Sequence, residues 1–240
     1  MSSTSRFDTE AASWDSNPTV QTASRLALAS LLQNLPQLSD NFSALSVLEI
    51  GCGTGILSFL ISPYIKTLCA VDASEGMISA LKQKLARDEH KEVKNLQPVH
   101  VMLEDPDDER IAVAGEKGGR RFDLVISHLV LHHIPDLASV LKTMFGCLKT
   151  GGSIALTDFE DVGPESRRFH PEAKMEGVER HGVKRSEMER LMGEAGFVGI
   201  RVETAFEMEK DVEVVPGKGM GEDNTEQMSF PFLICIGVKP

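Results

Sequence analysis

One stretch constrains the fold more than any other: an apolar segment, a glycine-rich turn and a helix start that follow one another directly. Residues 45–50 are apolar except at two positions, which is typical of a buried strand. Gly51, Gly53 and Gly55 follow, and residues 56–61 are mostly apolar at helical spacing. Glycine lets the backbone turn tightly and approach a ligand closely. The stretch therefore predicts a strand–turn–helix unit of an α/β sheet, with a ligand at the carboxyl end of the strand.

The spacing of the glycines indicates which kind of ligand this is. Dinucleotide-binding turns follow G-x-G-x-x-G, whereas here Ile56 stands where the third glycine would be. Glu49 precedes the turn, and a carboxylate on a buried strand is costly unless it meets a donor, which favours an amino-bearing ligand. Asp72 ends the next apolar run, about 20 residues after Gly51, close to the spacing at which an acid binds ribose hydroxyls. A nucleoside with an amino group and no pyrophosphate is indicated, and S-adenosylmethionine fits that description.

At these residues the chain resembles the class I (Rossmann-like, seven-strand) S-adenosylmethionine-dependent methyltransferases. The resemblance covers roughly residues 45–160 and rests on four motifs in the family's order. The first motif alone is weakly specific, because structural glycines after a strand are common, whereas four in order are specific. The motifs are Val47–Gly55, Val71–Met77, Phe122–Ser127 with Leu131–Ile134, and Leu148–Gly152.

The resemblance and the apolar pattern together predict the fold class and the domain organisation. We expect an α/β fold with a doubly wound, mostly parallel seven-stranded sheet and helices on both faces. Residues 197–208 and 230–238 have no helix between them, which predicts a C-terminal antiparallel hairpin at one sheet edge. The chain is interpreted as an N-terminal arm over residues 1–17, a single methyltransferase domain over 18–240, and two candidate lid segments over 160–183 and 211–229, the second of which reads as a mobile loop.

The resemblance also implies which residues bind the cofactor, S-adenosylmethionine, and its product, S-adenosylhomocysteine. In the family an acid at the end of the third strand usually approaches the adenine amino group. Glu104 and Asp105 are the candidates here, because Met102 stands where many relatives carry an aspartate. The expected cofactor contacts are Glu49, Gly51, Cys52, Gly53, Gly55, Asp72, Ala73, Met77, Glu104, Asp105, Ser127 and His128.

Histidines are the candidates for chemistry at the methyl acceptor. Methyl transfer from a sulfonium is an in-line displacement that needs alignment and a dry slot, and an oxygen or thiol acceptor also needs a nearby base. His132 and His133 follow the fourth strand and are the candidate catalytic bases, unless they simply pack against the sheet. The candidate acceptor contacts are Trp14 in the arm and His170 and His181 beyond the fifth strand, where the alternative is a solvated side chain.

Two segments keep alternative interpretations. Residues 1–17 are polar apart from Phe7 and Trp14, so they are either a disordered tail or an arm that folds over the cofactor. Asp158 and the acids at 160 and 161 follow the fifth strand. They would either hold a cationic amine or form an ordinary solvated loop, and we favour the loop.

Composition excludes several classes of function. The chain has 240 residues and a net charge of −11, which argues against nonspecific binding to nucleic acid or acidic membranes. The Asn-Pro-Pro-Tyr type motif of enzymes that methylate nucleic-acid bases is absent. The four cysteines form no C-x-x-C pair, which predicts buried reduced thiols and no metal site. No apolar run reaches about 18 residues and the N-terminus has no secretory pattern, so we expect a cytoplasmic, possibly nuclear, protein without membrane contact.

Three functions fit these features. The first is methyl transfer to an oxygen, nitrogen or sulfur atom of a small-molecule acceptor. The second is protein methylation by the same fold. The third is a regulatory subunit that binds the cofactor and acts through a partner protein. The presence of Glu49, of the three loop glycines and of Asp72 argues against a degenerate cofactor site, and the preference for a small molecule is a base-rate preference.

Overall fold

A computed structural model describes residues 5–40, 44–111, 121–221 and 223–240. The strands in this part of the chain are β1 Ser46–Ile50, β2 Thr67–Asp72, β3 Leu96–His100, β4 Phe122–His128, β5 Leu148–Phe159, β6 Val198–Glu213 and β7 Thr225–Val238. The α-helices are α1 Ser5–Glu10, α2 Pro18–Asn34, α3 Pro36–Asp40, α4 Ile56–Ile61, α5 Glu75–Leu85, α6 Leu137–Cys147 and α7 Arg185–Ala195. Short 3-10 helices lie at Ala11–Ser16, Ser62–Tyr64, Asp88–His90, Glu109–Ile111, Leu131–His133, Pro164–Phe169 and Glu172–Lys174.

The strands form one mixed sheet in the order β3-β2-β1-β4-β5-β7-β6. β1 pairs in parallel with β2 and β4, while β7 runs antiparallel to both β5 and β6. The predicted seven-stranded sheet with its C-terminal antiparallel hairpin is confirmed. Because the strand order reverses between β1 and β4, the carboxyl ends of these strands open the crevice in which such sheets bind ligands.

Helices cover both faces of the sheet, as predicted. Successive strand residues point to opposite faces, so Val47 and Leu48 of β1 belong to different buried clusters. Val47 packs in a cluster with residues of α2, α4 and α5, whereas Leu48 packs with residues of α6 and α7. β1 is therefore buried on both sides, and its end is held rigidly where the glycine turn begins.

The C-terminal hairpin is longer than the sequence pattern predicts. β6 and β7 remain paired as far as Glu213 and Thr225, so the prediction of a mobile loop over 211–229 is wrong for residues 211–213 and 225–229. Met208 and Val212 are buried in a cluster with phenylalanines, Lys210 on the same face reaches the carbonyl of Phe169, and Glu209 and Asp211 are exposed. A two-residue alternation hidden among charged residues is a strand signal that overall polarity obscures.

Segment 160–183 leaves the sheet and returns to it at neighbouring points. The Val183 amide donates to the carbonyl of Phe159 at 2.9 Å, and the Asp161 amide donates to the carbonyl of Val183 at 3.0 Å. Phe169, in the first of its two 3-10 helices, stacks on Phe159 with ring centroids 4.0 Å apart. The segment is thus tied at its base and packed in its middle. Among the described residues, no helix has both the length and the apolar character that crossing a membrane requires.

Candidate active site

A cavity of about 540 Å³ lies at the carboxyl ends of β1, β2 and β4. Its walls come from the glycine turn, the turn after β2, residues 101–104, the segment after β4, and the N-terminal region. The volume is within the usual range for a small-molecule site. The predicted cofactor contacts that line it are Glu49, Gly51, Cys52, Gly53, Asp72, Ala73, Met77, Glu104 and His128, and of the other predicted site residues Trp14 and His133 line it as well.

The glycine turn presents bare backbone to the cavity at one position. Gly53 has φ +53°, and a Cβ on it would meet only the Trp14 indole nitrogen, 3.9 Å away. Gly51 differs, because a Cβ there would lie 2.3 Å from a methyl group of Val130. Gly55, at φ +85° before α4, lies outside the cavity lining, and its missing Cβ makes room for Leu81. The first two glycines shape the cavity, and the third allows α4 and α5 to pack.

Two carboxyl groups lie at the end of the sheet beside this turn, the buried one of Glu49 and the half-buried one of Asp72. Asp72 accepts the amide hydrogens of Gly53 and Ser74, both at 2.8 Å, and burial raises the pKa of Asp72 above its ordinary value. Glu49 accepts the hydroxyl hydrogen of Ser58, and burial raises the pKa of Glu49 to about 8. Both carboxyl groups reach the cavity, so this wall favours ligands that supply hydroxyl or ammonium donors.

Two predicted cofactor contacts have structural roles instead. Asp105 lies outside the cavity lining, because its carboxylate accepts the amide hydrogen of Asp107 at 2.9 Å in a turn. Ser127 also lies outside it, because its hydroxyl donates to the carbonyl of Ile50 at 2.8 Å and ties β4 to β1. Of the two acids proposed for the adenine edge, Glu104 is the one on the cavity wall.

The N-terminal arm lies over the cavity and is hydrogen-bonded to the glycine turn and to the turn after β2, which are together called the cofactor turns. One carboxylate oxygen of Asp8 accepts the hydroxyl hydrogen of Ser74 at 2.6 Å and the amide hydrogen of Gly76 at 2.9 Å. Asp15 accepts the hydroxyl hydrogen of Thr54 at 2.5 Å. These contacts join residues far apart in the chain. They could not be predicted from the sequence, because neither aspartate belongs to a motif.

The arm also brings aromatic side chains to the cavity. Phe7 and Trp14 both line it, with ring centroids 6.0 Å apart in an edge-on arrangement. Phe7 meets His133 edge-on at 5.0 Å, so the arm closes over the segment that follows β4. Phe7 and Trp14 therefore form an apolar part of the cavity wall, and Phe7 contacts the candidate catalytic residue His133.

The histidines after β4 are anchored from behind. His132 is buried, its Nδ1 lies 2.8 Å from Asp158 Oδ1, and its backbone amide donates to Asp158 Oδ2 at 3.1 Å. The preferred interpretation of Asp158 as part of a solvated loop is therefore wrong, since its side chain is 1% exposed and belongs to β5. Burial alone would raise the pKa of Asp158, but the His132 ring and the hydrogen bonds hold it below its ordinary value.

The other histidines differ in their access to the cavity. His133 lines it, donates through Nδ1 to the carbonyl of Gly177 at 2.6 Å, and has its pKa lowered to about 3 by burial and by His132. His128 lines it too, with Nδ1 2.8 Å from Thr157 Oγ1, and burial lowers its pKa to about 4. His170 and His181 lie outside the cavity lining.

A family model described as a methyltransferase domain matches residues 22–202, which is most of the chain. The chain belongs to the class I S-adenosylmethionine-dependent methyltransferase family. Among its curated relatives is the malonyl-[acyl-carrier protein] O-methyltransferase of Priestia megaterium, 32% identical over 158 residues, which cover 64% of this chain and 50% of the relative. The chain spans about half the length of the curated relatives it matches first.

Solved structures of methyltransferases share the fold of this chain. The N-methyltransferase NodS of Bradyrhizobium japonicum, solved with S-adenosyl-L-homocysteine, matches with a TM-score of 0.60 at 17% identity, over 99% of this chain and 98% of that one. A methyltransferase solved in complex with a Haloferax volcanii methyltransferase activator matches with a TM-score of 0.65 at 17% identity, over 100% and 98% of the two chains. At this identity the likeness shows the shared fold.

Proposed function

We propose that this chain transfers the methyl group of S-adenosylmethionine to an oxygen, nitrogen or sulfur nucleophile of a small-molecule acceptor. The observation that carries the proposal is the cavity at the sheet's switch point. Bare glycine backbone, the buried Glu49 and the half-buried Asp72 form one part of its lining, called the first end, and Phe7, Leu129 and His133 form another part, called the second end. Such a cavity has room for two ligands with different chemistry.

The residues at the first end fit the cofactor. The free space beside Gly53 is the cradle that a Cβ would fill, so the backbone there would accept the amino-acid part of the cofactor. Glu49 is a buried carboxyl without a cationic partner among the described residues, and it would hold the ammonium group. Asp72 would bind the ribose hydroxyls and Glu104 would face the adenine amino group. The cofactor supplies a methyl group on a sulfonium, which is an electrophile without further activation.

The residues at the second end would orient the acceptor and exclude water. Phe7, Val20 and Leu129 offer an apolar surface there, and Trp14 lies between Phe7 and Gly53. His133 lines the cavity beside Phe7, and burial lowers its pKa to about 3, so the ring would be neutral near pH 7 where it contacts the acceptor. His132 lies behind it and would act through its contact with Asp158 rather than on the acceptor.

The curated relatives support a small acceptor. One is described as a malonyl-[acyl-carrier protein] O-methyltransferase, whose acceptor is a small acyl group on a carrier protein, and others are described as demethylmenaquinone and ubiquinone-biosynthesis methyltransferases. A flexible protein substrate would need an open groove, whereas here Phe7 of the arm packs against His133 at the acceptor end. Protein methylation and a regulatory role with a partner subunit are the alternative outcomes of the experiment below.

Metabolite profiling tests the proposal. Purified full-length protein is incubated with a metabolite extract and S-adenosylmethionine carrying a deuterated methyl group, and with a matched reaction that contains the Asp72→Asn variant. We expect one or a few small molecules to acquire the label with the wild-type protein, and much less label with the variant when the cofactor is below saturation. Label that appears in macromolecules instead would support a protein methyltransferase. Cofactor binding without any transfer, restored by adding a cell lysate, would support a regulatory subunit.

A further inference from the structure

Three histidines from two separate segments meet at the wall of the acceptor end. One ring nitrogen from each of His132, His133 and His170 lies within 4.8 Å of one from each of the others. The ring centroid of His132 lies 4.0 Å from that of His133 and 5.0 Å from that of His170. His132 and His133 follow β4, whereas His170 comes from segment 160–183, so the tertiary fold alone makes this cluster.

Hydrogen bonds determine which nitrogens of two of these rings are free. Asp158 and the Gly177 carbonyl can only accept, so the Nδ1 atoms of His132 and His133 must both carry hydrogen. In a neutral ring the Nε2 atom is then an unprotonated lone pair. Among the described residues, no hydrogen bond engages Nε2 of either ring. The unprotonated nitrogen of a neutral imidazole is the atom with which it binds a metal ion.

The third ring adds an unmatched polar atom to the same place. Nδ1 of His170 is buried and has no hydrogen-bond partner within the part of the chain that the structure describes. A buried imidazole nitrogen without a partner costs free energy that a folded protein normally avoids. His170 also packs against the rings of Phe159 and Phe169, and these side chains have no polar atom with which its Nδ1 could form a hydrogen bond.

We propose that His132, His133 and His170 bind a divalent transition-metal ion of the zinc class. Three imidazoles with one open position form the ligand set of many catalytic zinc sites. Such ligands typically donate their second nitrogen to a carboxylate or a backbone carbonyl, as His132 does to Asp158 and His133 does to Gly177. Imidazole suits zinc, copper, iron and nickel, whereas magnesium and calcium prefer oxygen ligands.

The geometry requires only a local adjustment. Tetrahedral zinc with bonds near 2.0–2.1 Å places neighbouring ligand nitrogens about 3.3 Å apart, so the rings must turn inward from their present separation. Two cations, Arg6 and Lys210, lie near His170, and they lower its pKa in addition to the larger effects of burial and of the two neighbouring rings. Lys210 is directed to the carbonyl of Phe169 and Arg6 to the carbonyls of residues 174 and 176, so neither occupies the cluster.

The open position of such a metal would face the acceptor end of the cavity. Only His133 of the three rings lines that cavity, so a fourth ligand can reach the ion from its side. A fourth ligand that is an oxygen or sulfur atom would lose its proton more readily on the metal. The metal site itself rests on the three rings and their partners and does not depend on the proposed methyl transfer.

Metal binding by the tag-free, full-length protein tests the proposal. The protein is stripped with a chelator, loaded with Zn²⁺ or Co²⁺, desalted and analysed for metal content. We expect the wild type to retain one ion per chain, and the Co²⁺ form to show the visible bands of tetrahedral coordination. His170→Asn and His133→Asn should lose retention. Asp158→Asn should weaken the affinity by roughly 10–100-fold, because it removes the support of a ligand.

His90→Asn is the matched control, because His90 stacks on Phe59 on another part of the surface and should change nothing. Circular dichroism shows whether each variant is folded, and X-ray absorption at the zinc edge of the wild type reports imidazole ligands without any variant. Retention that is equal in wild type and His170→Asn would overturn the proposal. So would a wild type that keeps no stoichiometric metal, or a zinc spectrum without three nitrogen ligands.

Discussion

The two ends of the cavity are built in different ways. The end assigned to the cofactor is dominated by backbone geometry at Gly51 and Gly53, by the buried carboxyl group of Glu49 and by the half-buried one of Asp72. The end assigned to the acceptor combines the arm, the segment after β4 and the backbone of Gly177. One end is thus a local motif, and the other exists only after the chain has folded.

This difference teaches where specificity is expected to reside. A contiguous strand–turn–helix unit holds the same ligand whatever surrounds it, because its contacts are mostly backbone. An assembled wall changes whenever any of its contributing segments changes. The arm links the two ends, since Asp8 and Asp15 bind the cofactor turns while Phe7 and Trp14 line the cavity. Perturbing each part separately should therefore give different kinetic signatures.

Removing residues 1–16 should give the largest effect. We expect turnover on the true acceptor to fall about 100-fold, because the acceptor end loses one wall and the reacting groups lose their alignment. Affinity for S-adenosylhomocysteine should fall less than tenfold. The domain should still fold, because the three buried apolar clusters of the described residues begin at Ala23.

Steady-state kinetics and calorimetry on the truncated protein measure the two effects, and the thermal melting curve serves as the folding control. Equal losses of turnover and cofactor affinity would contradict the separation of the two ends. Full activity of the truncated protein would mean that the arm is not a wall of the acceptor end, and segment 160–183 would then be the candidate lid.

Asp72→Asn should weaken cofactor binding without removing the acceptor end. Losing one charged hydrogen bond to a ribose hydroxyl costs roughly 1.5–3 kcal/mol, which is about 10- to 150-fold in affinity. Isothermal calorimetry with S-adenosylhomocysteine measures it. Asp105→Asn is the matched control, since its carboxylate lies outside the cavity and should leave affinity unchanged. Unchanged affinity in a folded Asp72→Asn protein would remove Asp72 from the cofactor site.

The parts that could be predicted from sequence are those that rest on neighbouring residues. The glycine turn, Asp72 and the strand order follow from local spacing and from the order of the motifs. The contact of Asp8 with Ser74 joins residues 66 positions apart, and the contact of His132 with Asp158 joins residues 26 apart. Nothing in the local pattern marks such pairs, because their proximity depends on how the strands and the arm pack.

The hairpin and Asp158 show a second limit. Composition assigned the outer part of the hairpin, residues 211–229, and Asp158 to loops, because charged residues dominate the stretch 207–213 and follow the apolar core of β5. In the structure Met208 and Val212 are buried on one face of β6, four residues apart, and Asp158 is stabilised by His132 and by backbone amides. A charge in a strand is acceptable where a fixed partner exists, and only the tertiary structure shows that partner.

Glu49→Gln should separate the electrostatics of the cofactor end from its shape. Folding raises the pKa of Glu49 from 4.5 to about 8. The protonated carboxyl group therefore stabilises the folded protein without ligand, and this contribution is complete below about pH 4.5 and is lost as the pH rises through about 8. The variant should therefore melt at a higher temperature than the wild type near pH 9 and at a similar temperature near pH 5, as differential scanning calorimetry would show.

A bound ligand that carries an ammonium group should favour the ionised form of Glu49 over the protonated form. Affinity of the wild type for S-adenosylhomocysteine should rise with pH from about 6 to about 8, by at most tenfold per pH unit, because binding requires the carboxyl group to lose its proton. Glu49→Gln should bind more weakly and without that slope. A wild-type affinity that is flat over this range would show that the ammonium group lies elsewhere.

The smallest expected effect is optical, and it reports directly on the link between the two ends. Trp14 is the only tryptophan, it is half-buried, and its indole nitrogen lies beside the free space at Gly53. Filling that space should displace water from the indole, so S-adenosylhomocysteine should shift the emission of Trp14 to slightly shorter wavelength. A fluorescence titration should give the same midpoint as calorimetry, and Asp72→Asn should move both midpoints together. Asp8→Asn, which loosens the arm at Ser74 and Gly76, should reduce the amplitude while the midpoint moves little. An emission spectrum that does not change when ligand is added would show that the environment of Trp14 does not depend on occupancy of the cofactor end, and the two ends would then be independent.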